Sequence, residues 1–294
     1  MYRALAEAIH DAEQRGHPLS RVALEREADD QGRPIPEIRA ALARALHVMR
    51  GAVDQGIAGD LRSDFGLVGG DAAKLRSGPA GPLSGTPFRD ILMRALAVQE
   101  VNAAMGVIVA APTAGGAGVL PAVLTGLAAA RDVDDEGLVD ALATAGLIGA
   151  VIAERASLSG AEGGCQAETG AAAGMAAGAA TEMLGGSPAQ VGHATALAMQ
   201  GTLGLICDPL GGLVELPCVF RNATGSAIAL AGIEMALAGI TFAIPVDEVI
   251  DTMGEIGRAM DVRYRETAGG GLAATPTGRR LARERLVQIK RSGG

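Results

Sequence analysis

All three cysteines of this 294-residue chain lie between Ser157 and Asn222, each where the backbone has reason to bend. Cys165 sits in SLSGAEGGCQAETG; Cys207 and Cys218 share GLICDPLGGLVELPCVFRN, with Pro209, Gly211, Gly212 and Pro217 between or beside them. Glycine and proline at this density break regular structure, so a fold of this chain has to route three kinked loops to one place if the thiols act together. Acting together, they read as three thiolate ligands of an iron–sulfur cluster with one iron left open. Acting singly, each is a buried small hydrophobe in an alanine- and glycine-rich protein. The polar neighbours Glu162, Glu168, Asp208 and Glu215 favour a site, and both readings stand on the residues alone.

Other cofactor chemistries fit less well. Zinc would need a fourth ligand such as His193, but no CxxC pair is present and His193 falls inside a regular helical pattern. Pyridoxal phosphate needs a Schiff-base lysine. The chain has only Lys74 and Lys290, the second in a basic tail, and Lys74 has no phosphate loop beside it. No strand–GxGxxG–helix unit offers a dinucleotide site.

Composition narrows the classes further. Net charge is −8 and aromatic residues make up 2% with no tryptophan, which argues against base-stacking platforms, nucleic acid and anionic membranes. Forty-three glycines among abundant alanines predict helices packed at close range around a buried site. Three cysteines give no even disulfide framework. The N-terminal MYRALAEAIHDAEQRG is charged and amphipathic rather than a leader, so a reducing, cytoplasmic setting is expected. Val101–Ala130 carries no charge and is long enough to span a bilayer, but Pro112, Pro121 and TAGGAG interrupt it. A buried helix–loop–helix is the better expectation.

Along the chain, residues 1–60 read as a separate polar helical segment with helices near Tyr2–Gly16 and Pro36–Gly56, and 61–294 as the catalytic domain. His10, His17 and His47 of the first segment read as surface or helix-face residues. Residues 60–87 read as loop. Helices are expected at Phe88–Gly106, Val119–Ala130, Asp135–Ala156, Cys165–Leu184, from Ser187–Pro188 to Gln200, Asn222–Gly239, Asp247–Asp261 and Arg279–Arg291. The expected class is mainly α, with Gly/Pro loops converging on a metal site.

Several stretches together resemble the α chain of iron–sulfur-dependent L-serine dehydratase (L-serine ammonia-lyase). They are GLVGGDAAKL (66–75), PLSGTPF (82–88), ALAVQEVNAAMGVIVAAPTAGGAGVLPAVL (95–124), SLSGAEGGCQAETGAAAGMAA (157–177), LGLICDPLGGLVELPCVFRNATG (203–225), GITFAIPVDEVIDTM (239–253) and RETAGGGLAATPTG (265–278). The resemblance implies a [4Fe–4S] cluster on Cys165, Cys207 and Cys218 and non-redox, Lewis-acid elimination of L-serine to pyruvate and ammonia, a step of amino-acid degradation. Family members also need a β domain with a serine-rich loop that has no counterpart here, so the resemblance implies a heterodimer with a separate β chain. Some single-chain relatives end in a cysteine tail that reaches the cluster, whereas this chain ends Arg-Ser-Gly-Gly.

Candidate substrate contacts are Thr113 in the turn PTAGG, whose backbone donors suit a carboxylate, and Ser157, Ser159 and Gly160 ahead of Cys165. Lys74, with Asp71, is a candidate for substrate or partner. Arg221 and Asn222, just past Cys218, are candidates to tune the metal site. The catalytic base is unassigned. Two alternatives stay open: a cluster lyase acting on cysteine or threonine, and a non-catalytic helical scaffold subunit.

Overall fold

At the centre lies a helix with almost no side chains. The computed structural model describes residues 2–59 and 61–292, with side chains through Arg285. Asp60, at the expected end of the first segment, and the terminal Gly293–Gly294 lie outside the described residues, as does the side chain of Lys290. The central helix is Ala171–Met183, AAAGMAAGAATEM, buried from Ala171 through Thr181. Residues this small let neighbouring helices approach on every side. A Cβ at Gly178 would stand 2.4 Å from Ile148 Cδ1 and 2.5 Å from Thr195 Oγ1, so only glycine permits that packing.

In chain order the helices are α1 (Leu5–Arg15), α2 (Leu19–Gln31), α3 (Ile35–Ala58), α4 (Asp71–Ser77), α5 (Pro87–Ala103), α6 (Val119–Arg131), α7 (Asp135–Arg155), the single turn α8 (Gly160–Gly163), α9 (Ala171–Met183), α10 (Pro188–Gln200), α11 (Cys218–Leu237), α12 (Val246–Ala259) and α13 (Pro276–Ser292). The protein is mainly α. No strand occurs among the described residues; the one β-type pairing recorded is an isolated parallel bridge between Cys207 and Arg265. Around α9 pack α6, α7, α10 and α11. Val101–Ala130 is a helix end, an irregular passage and a second helix, as the prolines and glycines predict. Two stretches, Ala114–Arg131 and Asp135–Arg155, are long and apolar enough to cross a membrane, and most of each is buried inside this fold.

The start of α10 matches its sequence signal. Ser187 Oγ accepts from Gln190 N–H while Gln190 returns a bond to Ser187 N–H, with Pro188 at the first helical position. Other starts follow no local rule. The residues before α1 and α2, Ala4 and Pro18, offer no capping side chain. Carboxylates from distant elements serve instead. Asp247 of α12 accepts from Leu5 N–H and Ala6 N–H at 2.8 and 2.9 Å. Glu182 of α9 accepts from Leu19 N–H at 2.8 Å and Ser20 N–H at 3.0 Å, and from the Thr144 hydroxyl. Through these bonds, and through Leu5, Leu19 and Leu24 in the same apolar cluster as Ile148 and Ile152, the first helices lean on the centre.

Two helices lie outside the expected helical stretches, the second of them in the passage read as loop. Leu19–Gln31 is α2, a charged helix of weak periodicity whose N-terminus depends on Glu182. Asp71–Ser77 is α4, whose first two N–H groups donate to Glu100 Oε1 of α5 at 2.6 and 3.3 Å. Neither distant acceptor is visible in a local window of sequence.

Candidate metal centre

Three different local structures deliver the thiols. Cys165 opens a π-helical segment, Gln166–Gly170, that leads into α9. Cys207 lies in an extended passage bridged to Arg265: Cys207 N–H donates to Tyr264 O (2.8 Å), and Glu266 N–H donates to Cys207 O (2.9 Å). Cys218 is the first residue of α11, which begins four residues before the expected Asn222. All three cysteines are free thiols and buried, at 1%, 1% and 3% exposure. The Gly/Pro density that marks these loops in the sequence thus corresponds to a turn and an extended bridge that bring Cys165 and Cys207 together, and a helix start that holds Cys218 within their electrostatic reach.

Glu168 completes the group. One ligand atom each from Cys165, Glu168 and Cys207 lie within 4.8 Å of one another, an arrangement that could hold a metal ion. Glu168 Oε1 accepts from the Thr113 hydroxyl at 2.7 Å, and Oε2 lies 3.9 Å from Cys207 Sγ. Two glycines make its space. A Cβ at Gly115 would stand 2.8 Å from Glu168 Oε1; one at Gly160 would stand 2.6 Å from Glu168 Oε2 and 3.2 Å from Cys207 Sγ. Glu168 appears in the sequence only as an acidic neighbour, because nothing local shows that Gly115, some fifty residues earlier, is cut away to fit it.

The electrostatics are those of a buried donor set. The Cys165 thiol is drawn down to about 7, chiefly because Cys207 hydrogen-bonds to it and also because Arg221 is near, against the opposing effect of burial. Cys207 is pushed up by that same bond and by burial. Burial, then the charges of Cys165 and Glu168, raise Cys218. Burial also lifts the Glu168 carboxyl above its ordinary range, against the Thr113 bond. The pair Cys165–Cys207 is therefore disposed to release its first proton more readily than its second.

Around this centre the remaining candidates separate. Asn222 is fully buried and fully occupied: Nδ2 donates to Gly115 O (2.7 Å) and Cys218 O (2.9 Å), and Oδ1 accepts from Gly118 N–H (2.9 Å). It ties the Thr113 turn to the start of α11. Arg221 Nη1 donates to Ile206 O at 2.9 Å, and Nη2 makes a 2.8 Å ion contact with Asp208 Oδ1, outside hydrogen-bond angle. Asp208 Oδ2 in turn accepts from Leu272 N–H at 2.6 Å. Thr113 and Gly160 adjoin the thiols through Glu168, and Ser159 directly precedes Gly160. Ser157 turns to Glu162, its hydroxyl donating to Oε2 at 2.7 Å. Lys74 lies apart, exposed and paired with Asp71 at 2.7 Å. His193, weighed as a zinc ligand, uses Nδ1 to accept from Phe242 N–H.

The Gly-rich passage after Tyr264 clamps the site from outside. Glu266 and Ala268 hold φ of 62° and 55°, a left-handed region that side chains other than glycine rarely adopt. The two backbone bonds to Cys207 fix this strained turn, and the Glu266 charge is felt by both Glu168 and Cys218.

Residues 14–273 match the family described as serine dehydratase alpha chain. The probable L-serine dehydratase, alpha chain, of Bacillus subtilis (strain 168) is 47% identical over 288 residues, covering 97% of this chain and 95% of that protein. The L-serine dehydratase, alpha chain, of Peptoniphilus asaccharolyticus is 38% identical across 98% of this chain and 99% of that one. The L-serine dehydratase of Streptomyces coelicolor (strain ATCC BAA-471 / A3(2) / M145) is 42% identical across 92% of this chain, which spans only 60% of that longer protein. Matched over nearly their whole length by two alpha chains, with Cys165 and Cys207 gathered at one buried carboxylate, this chain belongs to the serine dehydratase alpha chain family.

Proposed function

We propose that the chain is the α subunit of an L-serine dehydratase, an ammonia-lyase that turns L-serine into pyruvate and ammonia, with a [4Fe–4S] cluster on Cys165, Cys207 and Cys218. The observation that carries this is the meeting of two free, buried thiols, Cys165 and Cys207, at a carboxyl to which two glycines yield space, with the buried Cys218 thiol within electrostatic reach of Cys165 and Glu168. The donor chemistry suits the group: soft sulfur ligands, one of them already drawn toward thiolate, in loops rather than a zinc-type CxxC. When bound, such a cluster with an open iron supplies a Lewis acid for the departing hydroxyl.

The protein's own groups supply the rest. L-serine loses its Cα proton and its β-hydroxyl, leaving as water; the resulting enamine becomes an imine, and hydrolysis regains one water and releases ammonia. Glu168 is the group best placed to hold a proton, at Oε2 beside Cys207, because burial favours its neutral form. Thr113 orients that carboxyl through Oε1. Arg221 supplies fixed positive charge beside the thiols, and Asn222 holds the Thr113 turn against α11. Thr113, Ser159 and Gly160 are the proposed substrate-facing positions, with Ser157 bracing their segment.

The division near residue 60 is proposed as one of role: residues 61–294 carry every candidate site residue, and 1–60 brace them. A separate β chain is the proposed partner, since the longer Streptomyces coelicolor relative carries sequence that this chain does not match. The exposed Lys74–Asp71 pair is proposed to face it. Free thiols suit a reducing, cytoplasmic setting. The test is anaerobic reconstitution of this chain with its β chain, followed by pyruvate formation from L-serine, L-threonine and L-cysteine. Turnover with kcat/KM highest on L-serine supports the reading; iron-loaded complex inert on L-serine overturns it.

A further inference from the structure

The segment 157–167 has two faces. One carries Gly160 toward Glu168 and Cys207. The other lines a cavity of about 300 Å³ closed by α12, whose walls include Ser157, Glu162, Gly254, Gly257, Arg258 and Arg265. Its chemistry differs from that of the thiol centre. Arg265 occupies the bridge with Cys207, and its Nε is buried without a hydrogen-bond partner. Leaving a buried donor of a charged group unpaired is costly, so a small shift of the guanidinium toward an acceptor held in the cavity would relieve it. Arg258 reaches the same space from α12: its Nη1 would lie 3.3 Å from a Cβ at Gly254, so the absence of a side chain there leaves room for the guanidinium. The one carboxylate lining the cavity, Glu162, is engaged by the Ser157 hydroxyl.

Two arginines lining one small space offer guanidinium groups that match the fork of a single carboxylate. The volume is at the lower end of small-molecule pockets. We propose that this cavity is a second binding site, for a small carboxylate anion, held by Arg258 and Arg265. The ligand would join α12 to the passage that clamps Cys207 and press on the segment that carries Cys165. Any effect on turnover rests on the proposed dehydratase activity; the binding itself does not.

Pyruvate is the probe, titrated calorimetrically into the full-length chain without iron. Saturable one-to-one binding is expected, weakened at least about tenfold by Arg258→Ala and by the charge-keeping Arg265→Lys, since each loses a charged hydrogen bond. Cys165→Ser should bind as the parent does. Arg258 is exposed, so its replacement leaves the fold intact, which far-UV circular dichroism checks. Protection of residues 157–167 from hydrogen exchange should rise with pyruvate in the parent and not in Arg258→Ala. Absence of saturable binding overturns the proposal, as does binding that survives both arginine changes or that Cys165→Ser abolishes. Because no pyruvate formation is read, this failure and failure of the dehydratase reading are separate results.

Discussion

Buried and half-buried carboxylates do two kinds of work in this protein, and the contrast is between helix starts and the thiol centre. Asp247, Glu182 and Glu100 each accept backbone N–H groups at a helix start that lacks its own cap. Glu215 does the same for the passage before α4, accepting from Phe65 N–H at 2.8 Å, Leu67 N–H and the Ser63 hydroxyl. At the centre, Glu168 accepts from a threonine hydroxyl and faces a thiol, with no backbone N–H donor to it among the described residues. A carboxylate spent on backbone donors holds structure together. One surrounded by side-chain protons and sulfur is available for chemistry, and the glycines that clear its place show that the fold accommodates it at some cost in packing.

The contrast can be broken by substitution, beginning with the largest effect. Glu168→Gln keeps shape and the Thr113 bond but cannot exchange the proton. Pyruvate formation by the reconstituted complex should fall about 10²- to 10⁴-fold, with the unfolding temperature unchanged or raised. Loss of stability with activity per folded molecule retained would move Glu168 into the class of the helix-start carboxylates. Glu182→Ala should behave in the opposite way. It strands two N–H groups at the start of α2 and should cost about 2–4 kcal/mol in urea unfolding, while the folded fraction keeps its activity.

Two glycines sharpen the same line. Gly178→Ala pushes a methyl into Ile148 and Thr195 and should cost about 1–3 kcal/mol of stability, with little effect on the site. Gly115→Ala meets the Glu168 carboxyl instead, so turnover should fall more than stability does. Comparing urea midpoints with single-site activity for both variants decides the point.

The smallest effect concerns Glu100. Burial raises its carboxyl above the ordinary range, against the Asp71 and Ala72 N–H bonds that favour the charge, with the Asp71 carboxylate adding to the rise, and its Oε2 is buried without a partner. A raised acid is protonated in the folded state where the unfolded chain has already released the proton. The folded protein therefore binds more protons, and stability falls as pH climbs from the unfolded value through the folded one. Relative to the parent, Glu100→Gln should gain stability as pH rises from 5 to 8, with Lys74 nearby damping the effect. A difference in unfolding temperature that stays flat across that range would contradict it.

Much of this was legible in the sequence, for physical reasons. Ala/Gly composition announced close helix packing, and α9 is its extreme case. Ser187–Pro188 announced α10 because the cap lies within four residues of what it caps. Gly/Pro loops around the cysteines pointed to the place where Cys165 and Cys207 meet. What stayed hidden depends on partners far away in the chain. Helices α2 and α4 start on Glu182 and Glu100, and Glu168 matters because Gly115 and Thr113 face it across fifty residues. Arg265 and Glu266 are adjacent in the sequence, yet the bridge with Cys207 brings one to the second cavity and the other within electrostatic reach of the thiols.

The central claim is that sulfur from Cys218, rather than oxygen from Glu168, completes the metal-binding set, even though Glu168 shares the 4.8 Å group with Cys165 and Cys207. The most direct measurement is acid-labile sulfide and iron per chain after anaerobic reconstitution, on the parent, Cys218→Ser and Glu168→Gln. The account predicts roughly four irons in the parent and in Glu168→Gln, as a [4Fe–4S] group requires, and loss of iron in Cys218→Ser. Iron retained by Cys218→Ser and lost from Glu168→Gln would contradict it.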